Sequence, residues 1–383
     1  MVRPAADRIG AATTGRVSPG SPGFDAVLAE IAEGAARRDA NPSFPKDPFR
    51  ALAASGLLAL PVSDPIEARG RRASFREEWQ ALRAVAKADG SVGRIFDGHL
   101  NAAERLAVTA PEPLRTRELE AVTAGELLLG VWGADPIPGE GPPAYLVETK
   151  SGLVLEGVKT FCSGSTGLDR ALVTVRSSEK ASGPPLLAYV DLKKGIEVDL
   201  TWFRGSGMRS SESHRVVFRR ARVLAILGEP GELVREPYFA RDAIRTAATW
   251  AGIADLALDA TLETLAAKSV GKEPDDIVSL AVGRMLAAQA TMDRWLERAA
   301  QEADADPEKS LAHLSTHLRV VVAESCQKIL DEAARACGSR PFAVAAPLDR
   351  ARRDLELFLL QHRLEPALVH AGRRAITEHR FQP

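Results

Sequence analysis

The sequence lacks a long hydrophobic run, an excess of charge of one sign, and enough cysteine for a disulfide framework. No apolar run reaches the ~20 residues of a helix that crosses a membrane. The 50 lysines and arginines nearly balance 51 aspartates and glutamates, and the resulting net charge of −1 favours neither nucleic acid nor a membrane surface as a partner. Only three cysteines are present, at Cys162, Cys326 and Cys337, and their spacing fits no zinc motif. We interpret them as reduced thiols and expect no metal site.

The first 22 residues are also poor in apolar side chains and rich in glycine, serine, proline and alanine. Without an apolar core next to its arginines, this segment does not have the pattern of a signal peptide. The composition predicts a disordered leader over residues 1–22. We therefore expect a cytoplasmic location.

Hydrophobic spacing divides the rest of the chain into three parts. Residues 23–123 have helical periodicity and predict an N-terminal helical domain. Residues 124–232 contain short valine-rich runs separated by glycine, proline or serine, as in an antiparallel β-barrel or sandwich. Residues 233–383 are rich in alanine and leucine and predict a four-helix bundle. The fold class is therefore α+β, and the four bundle helices are expected at roughly 236–268, 275–304, 308–337 and 347–375.

Five short motifs follow one another along these three parts, and together they carry more information than any one alone. They are Phe44-Pro45 with Gly56-Leu57-Leu58; Asp89-Gly90-Ser91 with His99; Gly157-Val158-Lys159-Thr160-Phe161-Cys162-Ser163-Gly164; Gly207-Met208-Arg209-Ser210; and Cys337-Gly338-Ser339-Arg340-Pro341-Phe342 followed by Arg353-Asp354 and Gln361-His362. Their order and separation resemble those of the acyl-CoA dehydrogenase superfamily, whose helix–sheet–helix layout matches the three parts above.

The resemblance implies a flavin whose ring lies between the β domain and the bundle. Phe161 would pack beside the ring, and the Ser163 hydroxyl would donate a hydrogen bond near its reactive nitrogen. Trp132 and Gly133 occupy the place of the family's flavin-contacting loop. Arg209 is expected to be a further residue that contacts the cofactor. Taken without the resemblance, Phe161 is a core residue at a strand end, Ser163 a turn residue and Trp132 a core residue.

The dehydrogenases of this superfamily remove a proton with a glutamate in a Tyr-Glu-Gly-Thr-like stretch. That stretch is absent here, and its position, counted from Arg353-Asp354, holds His362. Asp242 lies near a second family location for the base, although an ion pair with the flanking Arg241 or Arg245 is the alternative interpretation. Glu365 is a further candidate. The motif that binds the adenosine diphosphate of FAD is also missing, since residues 267–274 do not contain it.

Three places resemble instead the reduced-flavin monooxygenases of the superfamily, such as the dibenzothiophene monooxygenase group. They are Asp89-Gly90-Ser91 with His99, the Phe-x-Ser-Gly segment at Phe161–Gly164, and His362. Such enzymes receive FMNH2 or FADH2 from a separate reductase and act through a flavin C4a-hydroperoxide, which hydroxyl and imidazole donors would stabilise. The alternatives are a buried or surface role for either histidine, and a helix N-cap at Asp89.

The leading hypothesis is therefore a flavin-dependent monooxygenase that acts on a small molecule, with FAD or FMN as cofactor and a flavin reductase as partner. An acyl-CoA dehydrogenase with a relocated carboxylate base is the first alternative. A non-catalytic acyl- or flavin-binding protein is the second. The resemblance further implies a homodimer or homotetramer formed through the C-terminal bundle.

Overall fold

A computed structural model describes residues 16–63, 72–271, 273–361 and 363–380. The N-terminal part is helical, as predicted, and its described residues form six α-helices. Its helices are α1 (Pro22–Glu33), α2 (Ala35–Ala40), α3 (Lys46–Ala54), α4 (Phe75–Ala88), α5 (Gly90–Thr109) and α6 (Leu114–Thr123).

Side-chain caps determine where the two central helices of this part begin. Ser74 and Glu77 form a reciprocal capping box at the start of α4. Asp89 caps α5, because its carboxylate accepts from the backbone N–H groups of Ser91 and Val92 at 2.9 and 3.2 Å. The same carboxylate pairs with the buried Arg38 at 2.9 Å. The Asp89-Gly90-Ser91 motif is thus the start of a helix, capped by Asp89, which was the alternative to a functional role for this motif.

The central part is one seven-stranded sheet in the order β1-β4-β5-β7-β3-β2, with β6 paired to β7. All of its strand pairs are antiparallel except β1 with β4, which is parallel, so the sheet is mixed rather than wholly antiparallel. A bridge between Tyr145 and Arg176 connects β2 to the residue after β4, so the sheet curls back toward itself. The strands are β1 (Leu129–Trp132), β2 (Tyr145–Thr149), β3 (Gly152–Cys162), β4 (Arg170–Val175), β5 (Leu186–Asp191), β6 (Ile196–Asp199) and β7 (His214–Leu227).

The C-terminal part contains three long helices, α7 (Tyr238–Lys268), α8 (Asp276–Ala305) and α9 (Ala312–Cys337). The predicted fourth helix is interrupted. A short α10 (Arg340–Ala343) leads to α11 (Pro347–Phe358), a 3-10 turn occupies Leu359–Gln361, and α12 spans Glu365–Arg380. The interruption matters because it brings Leu360 and Gln361 to the cavity described below.

Close backbone approaches join the three parts. Gly252 on α7 lies against α4, where an added Cβ would be 2.1 Å from the carbonyl oxygen of Arg83. Gly207 lies against α11, where an added Cβ would be 2.0 Å from the carbonyl oxygen of Arg353. Neither position has room for a side chain, so these glycines are required by packing. The α+β layout of a helical domain, a sheet and a helical bundle is confirmed.

The predicted disordered leader is partly corrected. Residues 1–15 lie outside the described residues. Residues 16–21 form a defined loop, in which the Val17 N–H donates to the carbonyl of Ser55 at 3.0 Å and Val17 packs on the core. Ser21 caps α1 through its side chain. Within the described ranges, no helix is long and apolar enough to cross a membrane.

Candidate active site

A cavity of about 560 Å³ lies where the sheet, the helix α5 and the bundle meet. Its apolar wall is largely aromatic and aliphatic, and its polar wall comes from residues that are far apart in the sequence. The apolar lining includes Val131, Phe161, Phe203, Met208, Leu233, Phe239, Leu357, Phe358 and Leu360; the polar lining includes Arg94, Asn101, Ser163, Ser211, Ser213, Asp242, Thr246, Arg319 and Gln361.

Phe161 reaches the cavity because β3 becomes irregular at its end. The register with β7 shifts between Lys159 and Cys162, and Phe161 has a φ of +50°, which is uncommon for a bulky residue. Its side chain is 56% exposed and meets Trp202 edge-on, with the ring centroids 4.9 Å apart. The irregular backbone therefore turns an aromatic ring out of the sheet, so the interpretation of Phe161 as a core residue is wrong.

Three serine hydroxyls form a chain on the same wall. The Ser163 and Ser213 oxygens are 2.9 Å apart, and those of Ser213 and Ser211 are 2.8 Å apart. The Trp132 indole N–H donates to the Ser163 carbonyl at 3.0 Å, which fixes the turn that carries Ser163. Trp132 itself is buried and does not line the cavity. It is therefore a core residue, which was the alternative interpretation of it.

Ser211 and Ser213 were not among the predicted site residues. They follow Arg209 in the turn before β7, where Met208 and Glu212 have φ values of +53° and +50°. A run of three serines within four residues was the available signal. Arg209 is half-buried in this turn but is not part of the cavity lining.

Gly133 lines the cavity, and its carbonyl is held from behind. Lys159 donates to that carbonyl at 3.2 Å and to the Asp135 carboxylate at 2.7 Å, and Thr174 donates to the Gly133 carbonyl at 3.0 Å. Lys159, on β3, thus fixes the loop that forms one side of the cavity. Burial lowers the pKa of Lys159, an effect that Asp135 opposes.

Asp242 also lines the cavity, and it forms the ion pair with Arg245 that was its alternative interpretation. Its two carboxylate oxygens accept from Arg105 at 3.0 Å and Arg245 at 3.2 Å. Burial raises the pKa of Asp242, and the two arginines oppose this shift. Arg241, which flanks it in the sequence, instead pairs with Glu104 at 2.8 Å.

His99 is not placed for catalysis, so this prediction is corrected. The ring is fully buried and absent from the cavity lining. Its Nε2 lies 2.9 Å from the Leu58 carbonyl, and its Nδ1 accepts from the Leu129 N–H at 3.1 Å. Both nitrogens therefore bond to the backbone, and the ring ties the start of β1 to the turn after α3. Burial lowers its pKa to about 4.

Two further candidates, His362 and Glu365, belong to the segment that was predicted as the fourth bundle helix. His362 lies outside the described residues, although its neighbours Leu360 and Gln361 line the cavity. Glu365 is exposed at the start of α12 and is not part of the lining. The structure thus brings Gly133, Phe161, Ser163 and Asp242 to one cavity, and separates from it His99, Trp132 and Arg209.

A helical domain, a curled sheet and a helical bundle that share one cavity define the fold of the acyl-CoA dehydrogenase class. The family model "Acyl-CoA dehydrogenase, N-terminal domain" matches residues 25–126, and "Acyl-CoA dehydrogenase, C-terminal domain" matches residues 231–360. The chain belongs to the acyl-CoA dehydrogenase superfamily, as its motifs indicated.

Two known proteins show which members of this superfamily the chain is similar to. The chain is 30% identical over 233 residues to the dibenzothiophene monooxygenase of Rhodococcus erythropolis, covering 55% of this chain and 54% of that protein. It is 28% identical over 215 residues to the probable FMNH2-dependent monooxygenase SfnC of Pseudomonas putida, covering 55% and 50%. The chain thus spans about half the length of these curated relatives.

A solved structure extends the similarity of fold over nearly the whole chain. FMN-bound TdsC from Paenibacillus sp. A11-2 superposes with a TM-score of 0.82 at 20% identity, covering 94% of this chain and 98% of that one. The fold of FMN-bound TdsC is therefore shared by nearly the whole chain.

Proposed function

We propose that this protein is a flavin-dependent monooxygenase that takes reduced flavin from a separate reductase and oxidises a small molecule. The observation that carries the proposal is the wall formed by Phe161 and the Ser163–Ser213–Ser211 hydroxyl chain, which faces a cavity lined in large part by apolar side chains. The named relatives, one of them FMNH2-dependent by its description, support the same activity.

The residues of this wall fit a flavin. Phe161 offers an exposed aromatic ring on which a flat heterocycle can pack. Ser163 offers a hydroxyl that can donate to a carbonyl oxygen or a ring nitrogen of the flavin. The Ser213 hydroxyl holds the Ser163 oxygen through a second hydrogen bond. The missing adenosine-binding motif at residues 267–274 favours FMN over FAD.

Bound reduced flavin would supply the electrons that activate dioxygen. The chain's own residues would orient the ring, keep water out and hold protons at defined atoms. Apolar side chains such as Phe203, Phe239 and Leu357 exclude water from the cavity, which strengthens each polar contact inside it. The serine chain provides hydroxyl donors whose oxygens are already fixed by one another, so little reorganisation is needed when charge develops nearby.

The visible spectrum of the purified protein, together with a titration of FMNH2, tests how the flavin is supplied. We expect little bound flavin in its visible spectrum, and binding of added FMNH2 when titrated without oxygen. Phe161→Ala should weaken FMNH2 binding by roughly two- to tenfold, since an aromatic contact is lost, while the exposed Val270→Ala should not. A yellow protein with stoichiometric FAD that acyl-CoA thioesters bleach would contradict the proposal.

Asp242 supports a second candidate, an acyl-CoA dehydrogenase with this carboxylate as base. Its place in the cavity and its raised pKa suit proton abstraction, while its two arginine partners reduce its freedom to move. A thioester panel with an artificial electron acceptor tests this candidate. It requires thioester-dependent flavin reduction that Asp242→Asn abolishes. Flavin binding without turnover in either assay would instead favour a non-catalytic binding protein.

Assembly and location belong to the same proposal. Exposed apolar side chains on α8, at Ile277, Leu280 and Leu286, support self-association through the bundle as a homodimer or homotetramer. Light scattering should therefore give a mass of two or four times 41.0 kDa, and a monomer mass would contradict self-association. Three free, buried thiols suit a reducing compartment and support a cytoplasmic location.

A further inference from the structure

Arg319 on α9 lines the cavity with a guanidinium group that the described residues leave unpaired. Its Nε and Nη2 atoms are inaccessible to solvent and have no hydrogen-bond acceptor among the described residues. The Trp250 ring, with its centroid 5.8 Å from the guanidinium carbon, is an aromatic neighbour at the long end of cation–π range. Buried donors without acceptors are rare and indicate a missing partner.

The other charged groups of the cavity have partners on the protein. Asp242 is paired with Arg105 and Arg245. Arg94 is paired with Asp97 at 3.2 Å. Arg319 is therefore the one cation of the described lining without an opposite charge beside it.

Two buried guanidinium nitrogens without acceptors are costly, because burial removes their hydration and no protein acceptor among the described residues replaces it. Burial lowers the pKa of Arg319 to about 10, which still leaves the group charged at neutral pH. A bound anion would supply the missing acceptors, and the planar guanidinium suits a carboxylate or another oxoanion.

Helix α7 gives the position of this charge along the cavity. Trp250, beside Arg319, lies eight residues after Asp242, which corresponds to about 12 Å along the helix axis. Trp250 also packs edge-on against Phe358, another lining residue, with centroids 6.1 Å apart. The guanidinium thus lies in an aromatic end of the cavity, about two turns of α7 away from Asp242.

We propose that Arg319 binds the anionic group of the substrate, a carboxylate or a similar oxoanion on a largely apolar molecule. The apolar lining accommodates the body of such a molecule, and Arg319 selects it over a neutral analogue and fixes its orientation. The identification of the bound molecule as a substrate rests on the proposed function. The preference for an anionic ligand can be measured without turnover.

The probes are 2-naphthoate and its neutral amide, 2-naphthamide, titrated by calorimetry into the full-length protein with and without saturating FMN. We expect the carboxylate to bind roughly tenfold or more tightly than the amide, as charge-assisted hydrogen bonds imply. Arg319→Gln should abolish this preference, mainly by weakening 2-naphthoate. Arg319→Lys should keep part of it, and the exposed Arg298→Gln on α8 should behave as the unmodified protein.

Several outcomes would overturn the inference. Equal affinity of the unmodified protein for acid and amide does so whatever the variants show, even if Arg319→Gln fails to fold. An unchanged preference in Arg319→Gln also does so. A third contrary result is that Arg319→Gln weakens FMN but neither riboflavin nor 2-naphthoate, because Arg319 would then bind the flavin phosphate. Failure of oxygenation, by contrast, would count against the proposed function and leave the binding preference standing.

Discussion

At the scale of single residues, the cavity depends on backbone conformations that ordinary side chains avoid. Phe161, Met208 and Glu212 all have positive φ values, although none is glycine. Such conformations persist only where surrounding contacts enforce them, and they concentrate at functional sites. Here they turn Phe161 out of the sheet and place Ser211 and Ser213 beside Ser163.

His99 allows a test of its structural role by pH. Its folded pKa of about 4 lies below the ordinary 6.5, so the folded state holds fewer protons and its contribution to stability is lost as pH falls from 6.5 toward 4. The stability advantage of the unmodified protein over His99→Asn should therefore shrink over this window, by at most about 1.4 kcal/mol per pH unit. Urea unfolding at several pH values measures it.

The ring should also show one tautomer. Since Nδ1 accepts from the Leu129 N–H, the proton belongs on Nε2, which donates to Leu58. Nitrogen NMR of the imidazole should report this neutral form at pH 6. A charged ring at pH 6, or a stability difference independent of pH, would contradict the structural role.

The residue scale also shows what sequence could and could not predict. Phe161 and Ser163, which line the cavity, were predicted from the family resemblance of a short local motif and not from their residue types alone. Ser213 could have been found by the serine run. Arg319 carries no local signal, because its position at the cavity depends on how α9 packs against α7.

At the scale of elements, Asp354 links α11 to the turn before β7. Its carboxylate accepts from the Met208 N–H, and Gly90 at the start of α5 packs beside it. The side chain is buried, and Asp89 lies close enough to repel it. Burial, with this repulsion, raises the pKa of Asp354 to about 7, although the Met208 N–H opposes the shift.

This carboxyl predicts a pH effect of opposite sign to that of His99. Its folded pKa lies above the ordinary 3.8, so the folded state holds more protons and loses stability as pH rises from about 4 to 7. Asp354→Asn, which keeps an acceptor for Met208, should gain stability relative to the unmodified protein over that window, by at most about 1.4 kcal/mol per pH unit.

The measurement is urea unfolding of both proteins from pH 4 to 7. The exposed Asp306→Asn, at the C-cap of α8, serves as the control and should show no such trend. A constant difference between Asp354→Asn and the unmodified protein across the window would mean that this carboxyl ionises normally in the folded state.

Elements with strong periodicity were predictable, and their interruptions were not. The long helices α7, α8 and α9 appear near their predicted bounds because each has a repeating apolar face. The fourth bundle helix was predicted as continuous. Leu359–Gln361 contain no proline or glycine, and the nearest signal of a new helix is Pro366, in the first turn of α12. The parallel pairing of β1 with β4 likewise depends on partners distant in sequence.

At the scale of the whole molecule, the cavity exists only where the three parts meet. The sheet contributes the aromatic ring and hydroxyls, α5, α7 and α9 contribute the charged groups, and the C-terminal segment closes it with Leu357, Phe358 and Leu360. The three-part layout followed from periodicity, and family membership from five ordered motifs. The composition of the cavity required the assembled fold.

The most direct test of the central claim is a single turnover with FMNH2, ¹⁸O2 and each of a panel of apolar carboxylates. The protein should place one ¹⁸O atom in the product, and Ser163→Ala should divert roughly fivefold more of the reduced flavin to hydrogen peroxide, because a donor to the reacting group is lost. The exposed Ser310→Ala should match the unmodified protein. If every substrate yields only peroxide, or if Ser163→Ala leaves the partition unchanged, the proposed mechanism is wrong.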